Sequence, residues 1–275
     1  MALTRNDNVV HEKTCSFDNV SIFQNVGLVM NQHIDLRIFF NHWRKGFAVE
    51  EKTRSGHRQS LQFFDADGTA THKIYHVDDS NHETYHDLVC KQLHKNQSTE
   101  EKVLPRFGPS KELADEEVDT DALRARWSSL QDTHDFNAML QELRVSRVQA
   151  MRLAGEEFAC EIKADCFQNA LEQAQTKDVP VMAFVGSPGV FQIHTGKVHS
   201  LKRSGPWYNV LPNFNLHLRE DRIESNWLVK KPSVDGVVTS VEIFDDAGHQ
   251  IAWLFGDRKP RKPRLENWRS IAESL

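Results

Sequence analysis

The residue that first raises a chemical possibility is the histidine of LQDTHDFNAML, residues 130–140. Leu123, Trp127, Leu130, His134, Asn137 and Gln141 recur three and four apart, with Leu140 and Leu143 beside the same stripe. That spacing predicts an amphipathic helix with one imidazole on its inward face. Such an imidazole is either a satisfied core group or a metal ligand through its neutral nitrogen. Basic side chains follow it closely: LRVSRVQAMR brings Arg144, Arg147 and Arg152. Two further basic stretches, VKKP at 229–232 and FGDRKPRKPR at 255–264, read as loops. Far away in the chain, Arg37 stands two residues from Phe39, cation and ring on one strand face.

Other candidates are weaker. His194 in FQIHTG competes as a ligand, but its strand setting suggests a sheet surface. His72, His76, His82, His86 and His94 form a histidine-rich stretch that reads as surface, although His82 and His86 are spaced to chelate from one helix face. Cys15, Cys90, Cys160 and Cys166 show no CxxC pair and no zinc spacing, so they read as reduced thiols. The chain carries no nucleophile elbow, phosphate loop, dinucleotide fingerprint or paired-carboxylate signature.

These groups must be positioned by the rest of the 275 residues. A net charge of −5 gives no general field for nucleic acid or an anionic membrane, so an anionic ligand must meet a local Arg/Lys cluster. No apolar run approaches the roughly 20 residues that span a bilayer, and MALTRNDNVV lacks the apolar stretch of a signal peptide. Cytoplasmic residence is the expectation.

A repeat organises the chain. Residues 35–74 align without a gap on 215–254, bringing together Leu36 and Leu216, Val49 and Val229, Gly56 and Gly236, Ser60 and Ser240, and Phe64 and Phe244. The β-rich runs are separated by turn signals, DADG and DDAG among them, so each copy reads as an antiparallel meander. Upstream, MALTRNDNVVHEK matches MAFVGSPGVFQIH at 182–194; downstream, HETYHDLV matches LENWRSIA as a closing helix. The fold class is therefore α+β, a tandem repeat of antiparallel meanders. The expected parts are a first repeat over 1–93, a linker over 94–120 and a second repeat over 121–275. The second repeat holds a helical block (121–178, helices 121–143, 145–158 and 163–176), a sheet (180–257) and a closing helix (263–275). No helical block precedes the first copy. This predicts a truncated or naturally short chain, with the first sheet face bare or covered in a homodimer.

An imidazole, aromatic rings and cations drawn from distant segments are what a heme pocket requires. Imidazole ligates iron, rings cover the porphyrin, and Arg or Lys meets the propionates. ALTRNDNVVHEK, IDLRIFF, GFAVEE, SLQFFDADGTATHKIY, LQDTHDF, MAFVG, FQIHTG and VKKP resemble the bacterial hemin-degrading and heme-utilisation proteins from one end of the chain to the other. The resemblance implies a cytoplasmic heme-handling protein of iron acquisition. It implies His134 as axial iron ligand, Arg37 as the catalytic group on the other side of the iron, and Phe39 and Phe184 as porphyrin contacts. Arg147, Lys231 and Arg258 would serve propionates or the pocket rim. Phe255 stands where relatives often carry Tyr, which removes a hydroxyl from the polar network.

Against these roles, Phe39 and Phe184 are equally at home in a core, Lys231 and Arg258 on a solvated surface, and Arg147 paired with Glu156 or Glu157. Three functions stay open. One is oxidative ring opening fed by an external reductant. Another is carriage of heme to a separate heme oxygenase, with that oxygenase or heme-transporter components as the protein partners. The third is a scaffold that binds heme poorly.

Overall fold

The computed structural model describes residues 1–54, 56–77, 81–98, 100–106, 112–212, 214–257 and 266–275. The chain begins with β1 (Ala2–Arg5), β2 (Val9–Lys13), β3 (Val20–Phe23), β4 (Val26–Met30) and β5 (Asp35–Phe39). It continues with β6 (Lys45–Thr53), β7 (Gly56–Phe64), β8 (Ala70–Tyr75) and α1 (His82–Gln92). The helical block follows: α2 (Thr120–Ser128), α3 (Asp135–Leu143), α4 (Arg147–Ala154), a strand β9 (Ala159–Ile162), and α5 (Cys166–Thr176). Then come β10 (Val181–Ser187), β11 (Val190–Gly196), β12 (Ser200–Ser204), β13 (Trp207–Leu211) and β14 (Asn215–Arg219). Last are β15 (Ser225–Lys231), β16 (Val238–Phe244), β17 (Gln250–Gly256) and α6 (Glu266–Ala272).

The repeat is visible residue by residue. Ser60 pairs with Val49 on one side and Tyr75 on the other; Ser240 pairs with Val229 and Phe255. The register slips at Phe63/Phe64 in one copy and at Ile243/Phe244 in the other. Gly68 and Gly248 turn the hairpins at φ 83° and 74°, a region open to glycine without a Cβ clash. The architecture is thus the α+β meander repeat expected.

Two compact units arise, and they cut across the repeat boundaries. One comprises 1–6, 10–107 and 186–192; the other comprises 7–9, 108–185 and 193–275. In the first, β2, β1, β8, β7 and β6 run side by side in antiparallel order, and β3, β4 and β5 form a second antiparallel run. Its small core gathers Ala2, Val29, Ile34, Leu36 and Val190.

In the second unit, β10, β17, β16, β15 and β9 lie side by side, all antiparallel. Strand alternation sends Val181, Ala183, Val185, Val241 and Leu254 to one face, where α5 and α6 cover them with Phe167, Leu171, Trp268 and Ile271. On the opposite face, α2, α3 and α4 cover only the β15–β16 end, through Trp127, Phe136, Met151, Trp227 and Phe244. Each such fully buried aromatic contributes about 2–3 kcal/mol of apolar burial. On the rest of that face Met182, Phe184, Trp253 and Phe255 are half-buried among the described residues.

Four expectations need correction here. The helix expected over 121–143 is two helices, α2 and α3, broken by a turn at 129–134. The helix expected over 145–158 is the shorter α4, and β9 interrupts the block as an edge strand on β15. The segment 94–120 is not wholly an exposed linker. Val118 is buried, and Asp115 ties down Arg152 with bonds of 2.7 and 3.0 Å. Finally, His72 is not at the surface: it is buried, sharing a 2.9 Å hydrogen bond with Thr4 Oγ1.

Candidate functional site

The break between α2 and α3 decides where His134 goes. Ser129 Oγ donates to the Arg126 carbonyl at 2.9 Å and Asp132 Oδ1 accepts from the His134 N–H at 2.9 Å, side-chain bonds that compete with the helical ladder and end α2. Trp127 anchors that helix by donating Nε1–H to the Lys230 carbonyl at 3.0 Å. Val234 N–H donates to the Gln131 carbonyl at 3.0 Å, fixing the turn to the β15–β16 connection. His134 therefore sits at the cap of α3, not on an inward helical face, and its side chain is 90% exposed.

The ring is nonetheless held. Asp132 Oδ1 accepts from the His134 backbone N–H at 2.9 Å and lies 2.6 Å from Nδ1. A carboxylate accepting Nδ1–H leaves the lone pair on Nε2, facing outward. A carboxylate in this position is usual behind metal-bound histidines, where it fixes the ring's tautomer and orientation.

Two residues on, Phe136 turns inward and begins a chain of contacts. Lys231 Nζ lies 4.6 Å from the centre of the Phe136 ring, and the Arg147 guanidinium lies 4.9 Å from it. Arg147 also stands 5.4 Å over Trp253 and donates to Asn137 Oδ1 at 2.6 Å. Trp253 meets Phe184 edge-on at 5.9 Å, and Phe184 meets Phe255 at 5.1 Å. The pairings Phe184 with Trp253 and Met182 with Phe255 place these side chains on one face of the sheet. The result is an apolar, aromatic floor, linked through Arg147 to Phe136, two residues after His134.

Beside Trp253, its cross-strand partner on the same face of the sheet, lies Glu242, fully buried. It accepts from Arg147 at 3.1 Å, Trp253 Nε1 at 3.0 Å, Gln250 at 2.9 Å and Ser240 at 2.9 Å, and it pairs with Lys231. Burial opposes ionisation of this carboxyl, but Lys231 and Arg147 outweigh it and hold Glu242 below its ordinary range. Burial lowers Lys231 to about 8, against the pull of Glu242 and with the push of Arg147.

The sequence-predicted residues are therefore distributed as follows. His134, Arg147, Phe184, Lys231 and Phe255 all lie in the second unit. Arg147, Lys231, Phe184 and Phe255 join one contact network with Phe136 and Trp253. Lys231 is not a loop or rim cation: it ends β15, is 5% exposed, and is committed to Glu242. Arg147 pairs with Glu242 and not with Glu156 or Glu157. Arg258 lies outside the described residues.

His194 is buried, with its ring stacked parallel on Phe214 at 4.0 Å, so it belongs to an interior and not to a sheet surface. Arg37 and Phe39 lie in the first unit. Arg37 pairs with Asp35 and donates to the Leu36 carbonyl at 3.3 Å, while Phe39 meets Phe191 edge-on at 5.9 Å. Sequence reasoning missed Asp132, Glu242 and Trp253. Asp132 had a signal: a carboxylate two residues before a histidine at a helix start.

A half-open aromatic face, an outward imidazole nitrogen with a carboxylate behind it, and an arginine at the rim fit a flat, anionic, metal-bearing ligand. In class, this is a meander-repeat α+β protein. The chain belongs to the family of the haemin-degrading HemS.ChuX domain, whose model matches residues 1–92 and 144–275. His134 falls between the matched stretches.

The chain is 34% identical over 270 residues to the hemin transport protein HemS of Yersinia enterocolitica, covering 98% of this chain and 77% of that protein. Among solved structures it resembles holo-PhuS, a heme-binding protein from Pseudomonas aeruginosa, at 41% identity and a TM-score of 0.96, over 100% of this chain and 80% of that one. It also resembles ChuS, the heme degrading enzyme of Escherichia coli O157:H7, at 33% identity and a TM-score of 0.91, again over 100% and 80%. Among the described residues, no helix is long and apolar enough to cross a membrane.

Proposed function

We propose that this chain binds heme as substrate through Nε2 of His134, in the cytoplasm, and opens the macrocycle oxidatively to release iron for the cell. The observation that carries this reading is the 2.6 Å contact from Asp132 to Nδ1 of a 90% exposed His134. The imidazole needs no core rearrangement to reach a metal. Phe184, Trp253 and Phe255 offer apolar surface to a porphyrin. Arg147, 17% exposed, keeps N–H groups beyond those given to Glu242 and Asn137, and these suit a propionate. Bound heme supplies the redox chemistry, and a separate reductant supplies electrons.

One observation favours a second reading, a carrier: a ligand histidine this exposed can pass its cargo to another protein's ligand. The two are separated by loading the chain with hemin anaerobically, then admitting O2 with ascorbate and catalase while following the Soret band. Loss of the band with stoichiometric iron release is expected. A band that persists assigns the carrier role. Failure of the chain to take up hemin at all overturns both readings.

A further inference from the structure

Glu242 is not accounted for by ligand binding as such. It has no exposed surface, and all five polar groups around its carboxylate (Lys231, Arg147, Ser240, Gln250 and Trp253 Nε1–H) are placed to donate. Only a full anion completes such a set; an amide would set its own N–H groups against donors. Lys231 and Arg147 bring two positive charges and Glu242 one negative, so the cluster keeps one net positive charge. Lys231 is shut beneath Phe136, which leaves Arg147 as the cation at the ligand face. Any ligand carboxylate reaching Arg147 must share that guanidinium with Glu242.

We propose that Glu242 is a specificity-determining residue of this site: an internal counter-anion that cancels one of the two cations beside the aromatic floor. It thereby limits affinity for planar dicarboxylates and lets them leave. This rests on the heme reading above. A protein that must hand on its cargo, or discharge a product, gains from a site that is not maximally cationic. At an effective dielectric between that of a partly buried pair and water, one unit charge several ångströms from a ligand carboxylate changes binding by about tenfold.

The test uses the whole chain and three probes: hemin, hemin dimethyl ester, which lacks free carboxylates, and metal-free protoporphyrin IX, which needs no axial ligand. Affinities are measured at low salt by Soret titration for wild type, Glu242→Gln, Lys231→Met and the double variant. The cluster charge is then raised by one, lowered by one, and returned to its starting value. The preference for hemin over its ester is expected to rise about tenfold in Glu242→Gln, fall about tenfold in Lys231→Met, and come back in the double variant. Protoporphyrin IX should follow hemin.

If Glu242→Gln does not fold, Lys231→Met and the double variant carry the comparison. A preference that stays flat across the series, or falls when Glu242 is neutralised, overturns the proposal while hemin binding itself stands. If neither hemin nor protoporphyrin IX binds the wild type, the heme reading fails and this inference falls with it.

Discussion

Asp132 and His134 form a carboxylate–imidazole pair within a single turn, 2.6 Å apart, with the imidazole 90% exposed and the carboxylate 60% exposed. A surface contact of this kind adds little to stability. Its use is to fix one tautomer. Substituting His134 by Ala should abolish the histidine-ligated ferric spectrum without altering the melting temperature. Asp132→Asn should keep the histidine-ligated spectrum yet weaken hemin binding by roughly tenfold, the usual effect of removing the carboxylate behind a metal-bound histidine. A hemin titration of both variants checks this; retention of the spectrum in His134→Ala would remove the ligand assignment.

The sheets were legible in the sequence because a two-residue alternation and a repeat 180 residues apart reinforce one another. Gly68 with Gly248 and Phe64 with Phe244 identify the same turn and the same bulge twice. The helical block was legible in content but not in its break. The 3.6-residue spacing runs from Trp127 through His134 without a Gly or Pro, and the stop is marked by the local side-chain bonding of Ser129 and Asp132. Nor does β9 look different from helix, since FACEI is short and apolar. Glu242 was hidden for a different reason. A lone glutamate in VEIF reads as the solvent side of a strand, and its burial depends on Lys231, 11 positions earlier, and Arg147, 95 positions earlier.

Arg147 should matter to the fold as well as to the ligand. It is the residue that ties α4 to β16 through Glu242, to α3 through Asn137, and to the rings of Phe136 and Trp253. Arg147→Ala leaves Glu242 with Lys231 and three neutral donors, so the loss should fall below that of orphaning a buried charge, at about 2–3 kcal/mol. Urea denaturation measures it. A change within a few tenths of a kcal/mol would show that Lys231 alone satisfies the carboxylate.

Phe255 offers a gain-of-contact test. Its half-exposed ring lies 5.1 Å from Phe184 and is paired across the sheet with Met182 and Ser240. Phe255→Tyr places a hydroxyl at the edge of the aromatic floor with little change in volume. One added hydrogen bond to a propionate, worth about 1 kcal/mol, should tighten hemin roughly fivefold and leave the dimethyl ester nearly unmoved. Equal tightening of both ligands would assign the gain to packing. No tightening would place the propionates away from this position.

The first unit should make the chain sensitive to mild acid. His72 is 2% exposed on β8, with its ring against Trp43 at 6.2 Å and its Nδ1 on Thr4. Burial first, and then the N-terminal ammonium, push it down to about 3 from an ordinary 6.5. Between those values the unfolded chain holds a proton that the folded chain refuses, so stability rises with pH across that window. The contribution is complete above pH 6.5 and drains away as pH falls toward 3. Glu242 acts lower on the scale: its stabilisation is present above its ordinary 4.5 and is lost as it takes up a proton below that. Urea unfolding of wild type and His72→Gln at pH 7 and pH 5 isolates the histidine, because Glu242 remains ionised at both. The wild type should lose more stability than the variant over that interval, even though the variant starts less stable from its disturbed packing. Parallel losses in the two proteins would mean that His72 accepts its proton in the folded state and that the acid sensitivity arises elsewhere.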